Sequence, residues 1–479
     1  MSIHPSASAS PPSSIREVFH RQKSYALEWR QSALRQRKQL LKSFRLYILD
    51  QADAIQQAVR KDLGKPVAEV NLSEIYPVVS EINHIIAHLD DWSRPVKVDA
   101  PLSMLGTRSE IRYEPRGVCL IIAPWNFPFM LAMGPLVSCL AAGNTAIVKP
   151  SELTPHTSAL ISKMIREFFK PEHVSVVEGG IEETTSLLKL PFDHIFFTGS
   201  PSVGKIVMKA AAENLTSVTL ELGGKSPAIV DETARLEDAA KRIAHGKLLN
   251  NGQACIAPDY IWVHARVKEA FVVKLRHFML QHFGEGKAIT EQSPDYARIV
   301  NTRNFQRLDA LMRDALQKGA RVEWSGEINE ASRFLHPTLL TEVPMEAHVM
   351  NEEIFGPILP IISYTDENEV IRYIHEQPKA LALYVFTTRS SFFEKVMKQT
   401  SSGTACLNDC VLQFAHANLP FGGVNNSGMG AAHGEAGFRA FSHAKSILKQ
   451  RNGFTFASVV YPPYTRRVRG MIQKLIQWL

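Results

Sequence analysis

From residue 118 onward the chain alternates short, wholly apolar runs with longer amphipathic stretches. Residues 118–122, 145–148, 174–178 and 194–197 read as strands, and 128–142, 157–169, 182–189 and 203–213 as the helices between them. Strands without polar alternation, separated by helices of this length, predict a parallel sheet covered on both faces. That is an α/β, doubly wound (Rossmann-like) layout, whose ligand crevice opens beyond the carboxyl ends of the strands. A second alternation, from Ala228 to about Tyr384, reads as another α/β unit. Ahead of both, residues 15–63 and 72–89 have helical periodicity, and 95–117 are extended, punctuated by Pro95, Pro101 and Pro115. From Cys406 to Leu448, Gly-rich turns outnumber helical patterns, which points to an arm. At the end, Val468, Met471, Ile472, Leu475, Ile476 and Leu479 fall on one face of a helix.

Composition narrows this only in part. With 479 residues, 45% hydrophobic and 21% charged, the chain is an ordinary globular protein of two or three domains. A net charge of +7 spread among mixed acids and bases gives no basis for a nucleic-acid partner. The five cysteines form no CxxC pair, as expected of reduced thiols in the cytoplasm. The Ser/Pro/Ala tract from Ser6 to Ser14 predicts disorder, and no apolar segment follows it as a secretory signal would require. No charge occurs between Arg116 and Lys149, yet Pro124, Pro128, Pro135 and Gly143-Asn144 break that run. A membrane-spanning helix needs roughly 20 unbroken apolar residues.

Several residues carry chemistry. Cys255 ends the loop Asn250-Asn251-Gly252-Gln253-Ala254-Cys255, between a helical pattern and a strand, where a thiol is either reachable and reactive or simply buried. Glu221 lies in the apolar run Val218-Thr219-Leu220-Glu221-Leu222, just before a Gly-Gly turn. It is either a buried general base with a raised pKa or a strand-end carboxylate paired with Lys225. Asn126 follows the first strand of the sheet, as an oxyanion donor or as a turn residue. Lys149 and Glu152 follow the next strand, placed for ribose hydroxyls or for plain helix-start polarity. The turn Thr198-Gly199-Ser200-Pro201-Ser202-Val203-Gly204-Lys205 offers a helix N-terminus to phosphate, although it is neither GxGxxG nor a P-loop.

Six motifs in one order resemble the aldehyde dehydrogenase superfamily: Pro124-Trp125-Asn126-Phe127-Pro128, Lys149-Pro150-Ser151-Glu152, Phe197-Thr198-Gly199-Ser200, Leu220-Glu221-Leu222-Gly223-Gly224-Lys225, Gly252-Gln253-Ala254-Cys255 and Glu352-Glu353-Ile354-Phe355-Gly356-Pro357. They span about residues 110–445. Ala257-Pro258-Asp259-Tyr260 and the run from Pro420-Phe421-Gly422-Gly423 to Phe441-Ser442-His443 are similar to the class 3 branch, which includes fatty aldehyde and coniferyl aldehyde dehydrogenases. The resemblance implies oxidation of aldehydes to acids with NAD or NADP. Cys255 is then the nucleophile, Asn126 with the Cys255 N–H holds the oxyanion, and Glu221 activates the hydrolytic water. Glu353 and Phe355 would position the nicotinamide ribose, Lys149 and Glu152 the adenosine ribose, and the Gly199-Ser200 to Gly204 turn the pyrophosphate. No metal is called for. Glu221 speaks against transfer of the acyl group to coenzyme A, and the filled catalytic positions speak against a non-catalytic binder.

The implied layout is a dinucleotide-binding domain of residues 1–100 and 118–222, a catalytic domain of 223–405, and an oligomerisation arm of 101–117 and 406–450. A tail of 451–479 carries the amphipathic helix. A homodimer is implied. So is a tail that either covers an apolar substrate entrance, touching anionic lipid, or packs on its own domain or a partner. Two departures stand out: Asn425 where relatives often carry Gly, and Pro201 at a first helical position, where its missing N–H does no harm.

Overall fold

The computed structural model describes residues 14–101, 104 and 106–478. Apart from Ser14, the tract from Ser6 to Ser14 lies outside the described residues, and so does Leu479. Two large sheets organise the chain. The first runs Gly428–Met429, Ser217–Leu222, His194–Gly199, Val118–Ile122, Thr145–Lys149, Val174–Val176, all parallel except the first pair. Every position of Val118–Ile122 and Thr145–Lys149 is buried, because helices cover both faces. The second sheet runs Arg321–Trp324, Thr338–Thr341, Ile358–Tyr364, Tyr260–His264, Pro227–Val230, Ala382–Phe386, Thr404–Leu407, antiparallel only at its first pair. A small antiparallel sheet of Val96–Val98, Thr107–Pro115 and Ser442–Gln450 stands apart from both.

The helical stretch from Ile15 to Leu63 divides into Ile15–Trp29, Leu34–Asp50 and Ala52–Leu63, and Gly64 ends the last in the left-handed region at φ 62°. The next helical stretch begins earlier than its periodicity shows, at Val67, and passes through a π-helical turn, Asn71–Ile75, into Tyr76–Trp92. Met130–Ala142 is buried almost all round. It ends at Gly143, φ 93°, where the Arg37 guanidinium occupies the space of a Cβ and donates to the carbonyls of Ala142 (2.9 Å) and Ala141 (3.4 Å).

One expectation needs correction. Of the stretch from Cys406 to Leu448, only Ser442 onward enters the small sheet. Cys406 lies on the edge strand of the second sheet, Gly428–Met429 closes the edge of the first, and Gly434–Ala440 packs on Tyr76–Trp92 and Met130–Ala142. Phe438 and Phe441 are wholly buried there, so this glycine-rich segment is core as much as arm.

The tail forms the helix Arg466–Trp478, resting chiefly on the turn Phe456–Val460. On its apolar face Val468, Met471 and Ile472 are half-buried, while Leu475 and Ile476 stay 48% and 69% exposed. Among the described residues no helix is long and apolar enough to cross a membrane.

Candidate active site

A cavity of about 320 Å³ opens where the two large sheets face each other, with Cys255 and Glu221 on its wall among Phe127, Met130, Leu131, Phe414 and Phe421. The loop that presents Cys255 is built from unusual backbone. Helix Leu236–Leu248 ends in Leu249–Gly252, where Asn250, Asn251 and Gly252 are all left-handed (φ 51°, 56° and 74°). Asparagine tolerates that region because its short amide bonds locally; at Gly252 a side chain would strike the Gly356 carbonyl. The buried amides then pin the loop. Asn250 Nδ2 donates to the Asn126 carbonyl (2.7 Å) and Asn251 Nδ2 to the Ala297 carbonyl (3.0 Å). Gln253 donates to the carbonyls of Asn250 and Arg298 and accepts from the Val300 N–H. The loop is rigid by hydrogen bonding, so the sulfur it carries is held in one place.

Cys255 is half-buried. Burial pushes its thiol up to about 12, with the charges of Glu353 and then Glu221 adding to the rise. Glu221 sits near the end of Ser217–Leu222, 6% exposed, and neither carboxylate oxygen has a hydrogen-bond partner among the described residues. Burial pushes its pKa well above the carboxylate range. The alternative of a Glu221–Lys225 pair is overturned. Lys225 pairs with Asp259 and donates to the carbonyls of Val349 and Glu352, both at 2.8 Å. Asn126 is buried, and its Nδ2 donates to the Gln253 carbonyl at 3.1 Å, which turns the amide toward the Cys255 loop.

Glu353 lies against Gly223, where a Cβ would collide with its carboxylate, so the Gly-Gly turn makes room for it. Burial raises its carboxyl to about 8, with Asp259 adding to the rise. Phe355 is left-handed at φ 50°, an uncommon conformation for a bulky residue, and meets Trp125 edge-on at 5.2 Å. Three side chains hold this loop. Arg307 donates to the Glu353 and Ile354 carbonyls, the Ile354 N–H donates to Asp259 (2.8 Å), and Lys225 holds the Glu352 carbonyl.

The remaining candidates gather at the carboxyl edge of the first sheet. Lys149 is buried and donates to the Pro150 carbonyl (3.0 Å) and the half-exposed Glu152 (3.1 Å). Ser200 caps the helix Pro201–Ala212, its hydroxyl accepting from the Val203 N–H. Pro201 occupies the first helical position, as expected. A Cβ at Gly199 would lie 2.5 Å from the Phe197 ring and one at Gly204 2.8 Å from Leu222, so both glycines permit close packing of strand and helix. Ile181 and Val203, 84% and 41% exposed, flank the same edge. A helix N-terminus, a cation–carboxylate pair and exposed apolar side chains suit the pyrophosphate, ribose and adenine of a dinucleotide.

Sequence reasoning missed Asp259, Lys225 and Arg307 as supports, and Lys247. Asp259 stands inside a motif that marks the family, and the sequence pointed to Lys225 only as a partner for Glu221. Arg307 and Lys247 lie in ordinary amphipathic helices and give no signal. Lys247 is wholly buried with no hydrogen-bond partner for Nζ among the described residues. Burial lowers its amine to about 8 against the pull of Asp259 and Glu353.

Known proteins resemble this chain in sequence and fold. The profile of the aldehyde dehydrogenase family matches residues 6–447. The 4,4'-diaponeurosporen-aldehyde dehydrogenase of Staphylococcus aureus (strain NCTC 8325 / PS 47) is 43% identical over 446 residues, 93% of this chain and 94% of that one. Aldehyde dehydrogenase family 3 member A2 of Mus musculus is 43% identical over 437 residues, 91% and 88% of the two chains. A solved structure described as the substrate-bound state of Staphylococcus aureus AldH superposes with a TM-score of 0.91 at 42% identity, covering 97% of this chain and 100% of that one.

Proposed function

The chain belongs to the aldehyde dehydrogenase family, an oxidoreductase that turns aldehydes into carboxylic acids with NAD or NADP, and on that premise we propose that Cys255, Glu221 and Asn126 carry the reaction. The observation that carries this reading is the pairing, on one apolar cavity, of a reachable thiol with a buried carboxylate that has no partner of its own among the described residues.

The Cys255 sulfur, as thiolate, bonds to the aldehyde carbon while the carbonyl π electrons move onto oxygen. Asn126 Nδ2 has one N–H on Gln253, which leaves a second to meet that oxyanion beside the Cys255 backbone N–H. A nicotinamide cofactor, when bound, would supply the two-electron acceptor for the hydride. The oxyanion then reforms its carbonyl, leaving a thioester on Cys255. Glu221 removes a proton from water, the resulting hydroxide adds to the thioester carbon, and the carbon–sulfur bond breaks to give acid and thiolate. Glu221 finally returns its proton to solvent. Glu353 and Phe355 would hold the nicotinamide ribose, Lys149 and Glu152 the adenosine ribose, and the turn of Gly199, Ser200 and Gly204 the pyrophosphate.

The cavity lining favours apolar aldehydes, medium- or long-chain aliphatic or aromatic. A coniferyl or apocarotenal type of substrate is the alternative within that class, and the phenylalanines of the wall suit its conjugated chain. We read the enzyme as a cytoplasmic homodimer joined through the small sheet. Its exposed tail helix either covers the substrate entrance, touching anionic lipid, or packs on a partner subunit. In Glu221→Gln, quenched during turnover of decanal, mass spectrometry should find the acyl group on Cys255, with steady-state turnover down by about 10²–10⁴. Cys255→Ala should show no adduct and no cofactor reduction. Full turnover by Glu221→Gln, or no adduct at all, would sink the proposed roles.

A further inference from the structure

The first turn after Asn126 is clamped by a segment far away in sequence. Lys65 and Glu74 form an ion pair at 2.7 Å with both side chains at zero exposure. Lys65 Nζ also donates to the Asn126 carbonyl (3.3 Å) and stands 4.2 Å over the Phe127 ring. Glu74 Oε2 accepts the N–H groups of Phe129 (3.1 Å) and Met130 (2.9 Å), the free donors at the start of Met130–Ala142. Glu74 reaches that spot from the π-helical turn Asn71–Ile75, a kind of turn that is frequent at functional sites. From the same segment Glu69 accepts the Asn250 N–H at 2.8 Å, and Asn250 returns to the Asn126 carbonyl.

Two buried ions with every oxygen bonded are a demanding arrangement, since each needs the other to remain charged away from water. An apolar pair would fill the same space with less constraint. What the ions add is direction: Lys65 and Asn250 fix the Asn126 carbonyl from two sides, and Glu74 fixes the turn that follows it. Asn126 therefore meets the Cys255 loop with one orientation of its amide.

We infer that the buried Lys65–Glu74 pair is a positioning device for the oxyanion donor, acting on the reaction only through Asn126. The inference rests on Asn126 holding the oxyanion. Neither Lys65 nor Glu74 lines the cavity that holds Cys255 and Glu221.

A double-mutant cycle in the full-length enzyme separates this from a general role in folding. Lys65→Met/Glu74→Gln removes both charges at once, and Asn126→Ala removes the amide. Losing an oxyanion donor lowers the rate by about 10²–10³, so Asn126→Ala should fall by that much. The charge-free pair should lower kcat about tenfold or more while cofactor KM stays within about twofold. Combined with Asn126→Ala it should lower kcat by less than about twofold further. Should the charge-free pair not yield soluble protein, Glu74→Gln alone is read in the same cycle. Equal losses in both backgrounds, or an unchanged kcat, overturn the inference while leaving the oxyanion role intact. Wild-type rates in Asn126→Ala alone would overturn that role itself.

Discussion

The surroundings of Cys255 favour its protonated form. Burial and the charges of Glu353 and Glu221 hold the thiol at about 12, so at neutral pH only a small fraction is thiolate. The sign follows directly: a raised thiol pKa means reactivity grows with pH, about tenfold per unit while the thiol remains mostly protonated. Alkylation by iodoacetamide should rise steeply from about pH 7 to about pH 10. Glu353, held at about 8, gains its charge part-way through that range and then opposes thiolate formation. Glu353→Gln should therefore speed alkylation above about pH 8 and leave the rate below it nearly unchanged. A flat pH profile would mean that the sulfur is already ionised, contrary to its surroundings.

Among the elements, the loop from Glu352 to Gly356 depends most on outside support. Asp259 holds it at the Ile354 N–H and shields Lys225, which holds the Glu352 carbonyl. Asp259→Asn keeps an acceptor for Ile354 but leaves Lys225, mostly buried, without its counter-ion. It should lose about 3 kcal/mol of stability and raise the cofactor KM about tenfold, with a smaller change in kcat. Thermal unfolding and steady-state kinetics read the two effects, and an unchanged KM would reduce Asp259 to a purely structural role. This loop also marks the limit of sequence reading. The strands at 118–122 and 145–148 were legible because burial on both faces selects near-continuous apolar runs. The π-helical turn was not, since Asn71-Leu72-Ser73-Glu74-Ile75 has the composition of any amphipathic helix. Cys255, Glu221 and Asn126 stand out only through motifs that resemble the family, whereas Arg307 and Lys65 act through partners 46 and 61 residues away. No local pattern records such contacts.

Taken whole, the molecule presents its tail helix with Leu475 and Ile476 exposed and little of its own body beneath it. A short helix so placed contributes little to global stability, so removal of residues 466–479 should leave the melting temperature nearly unchanged. If it covers the entrance, the deletion should weaken turnover of long-chain aldehydes more than of short ones in a substrate panel. Equal effects on both would assign the helix to another role. A second whole-chain feature concerns the order in which the protein is made. The strand bearing Glu221 is closed by Ser427, Gly428 and Met429, and Met130–Ala142 is covered by Gly434–Ala440, both from near the far end of the chain. Until residues 427–440 are made, the first sheet keeps an open edge and Met130–Ala142 one uncovered apolar face, both prone to sticking to other nascent chains. Completion of the first sheet thus waits for residues 427–440, and a chaperone that shields the open edge until they emerge should raise the yield of folded protein.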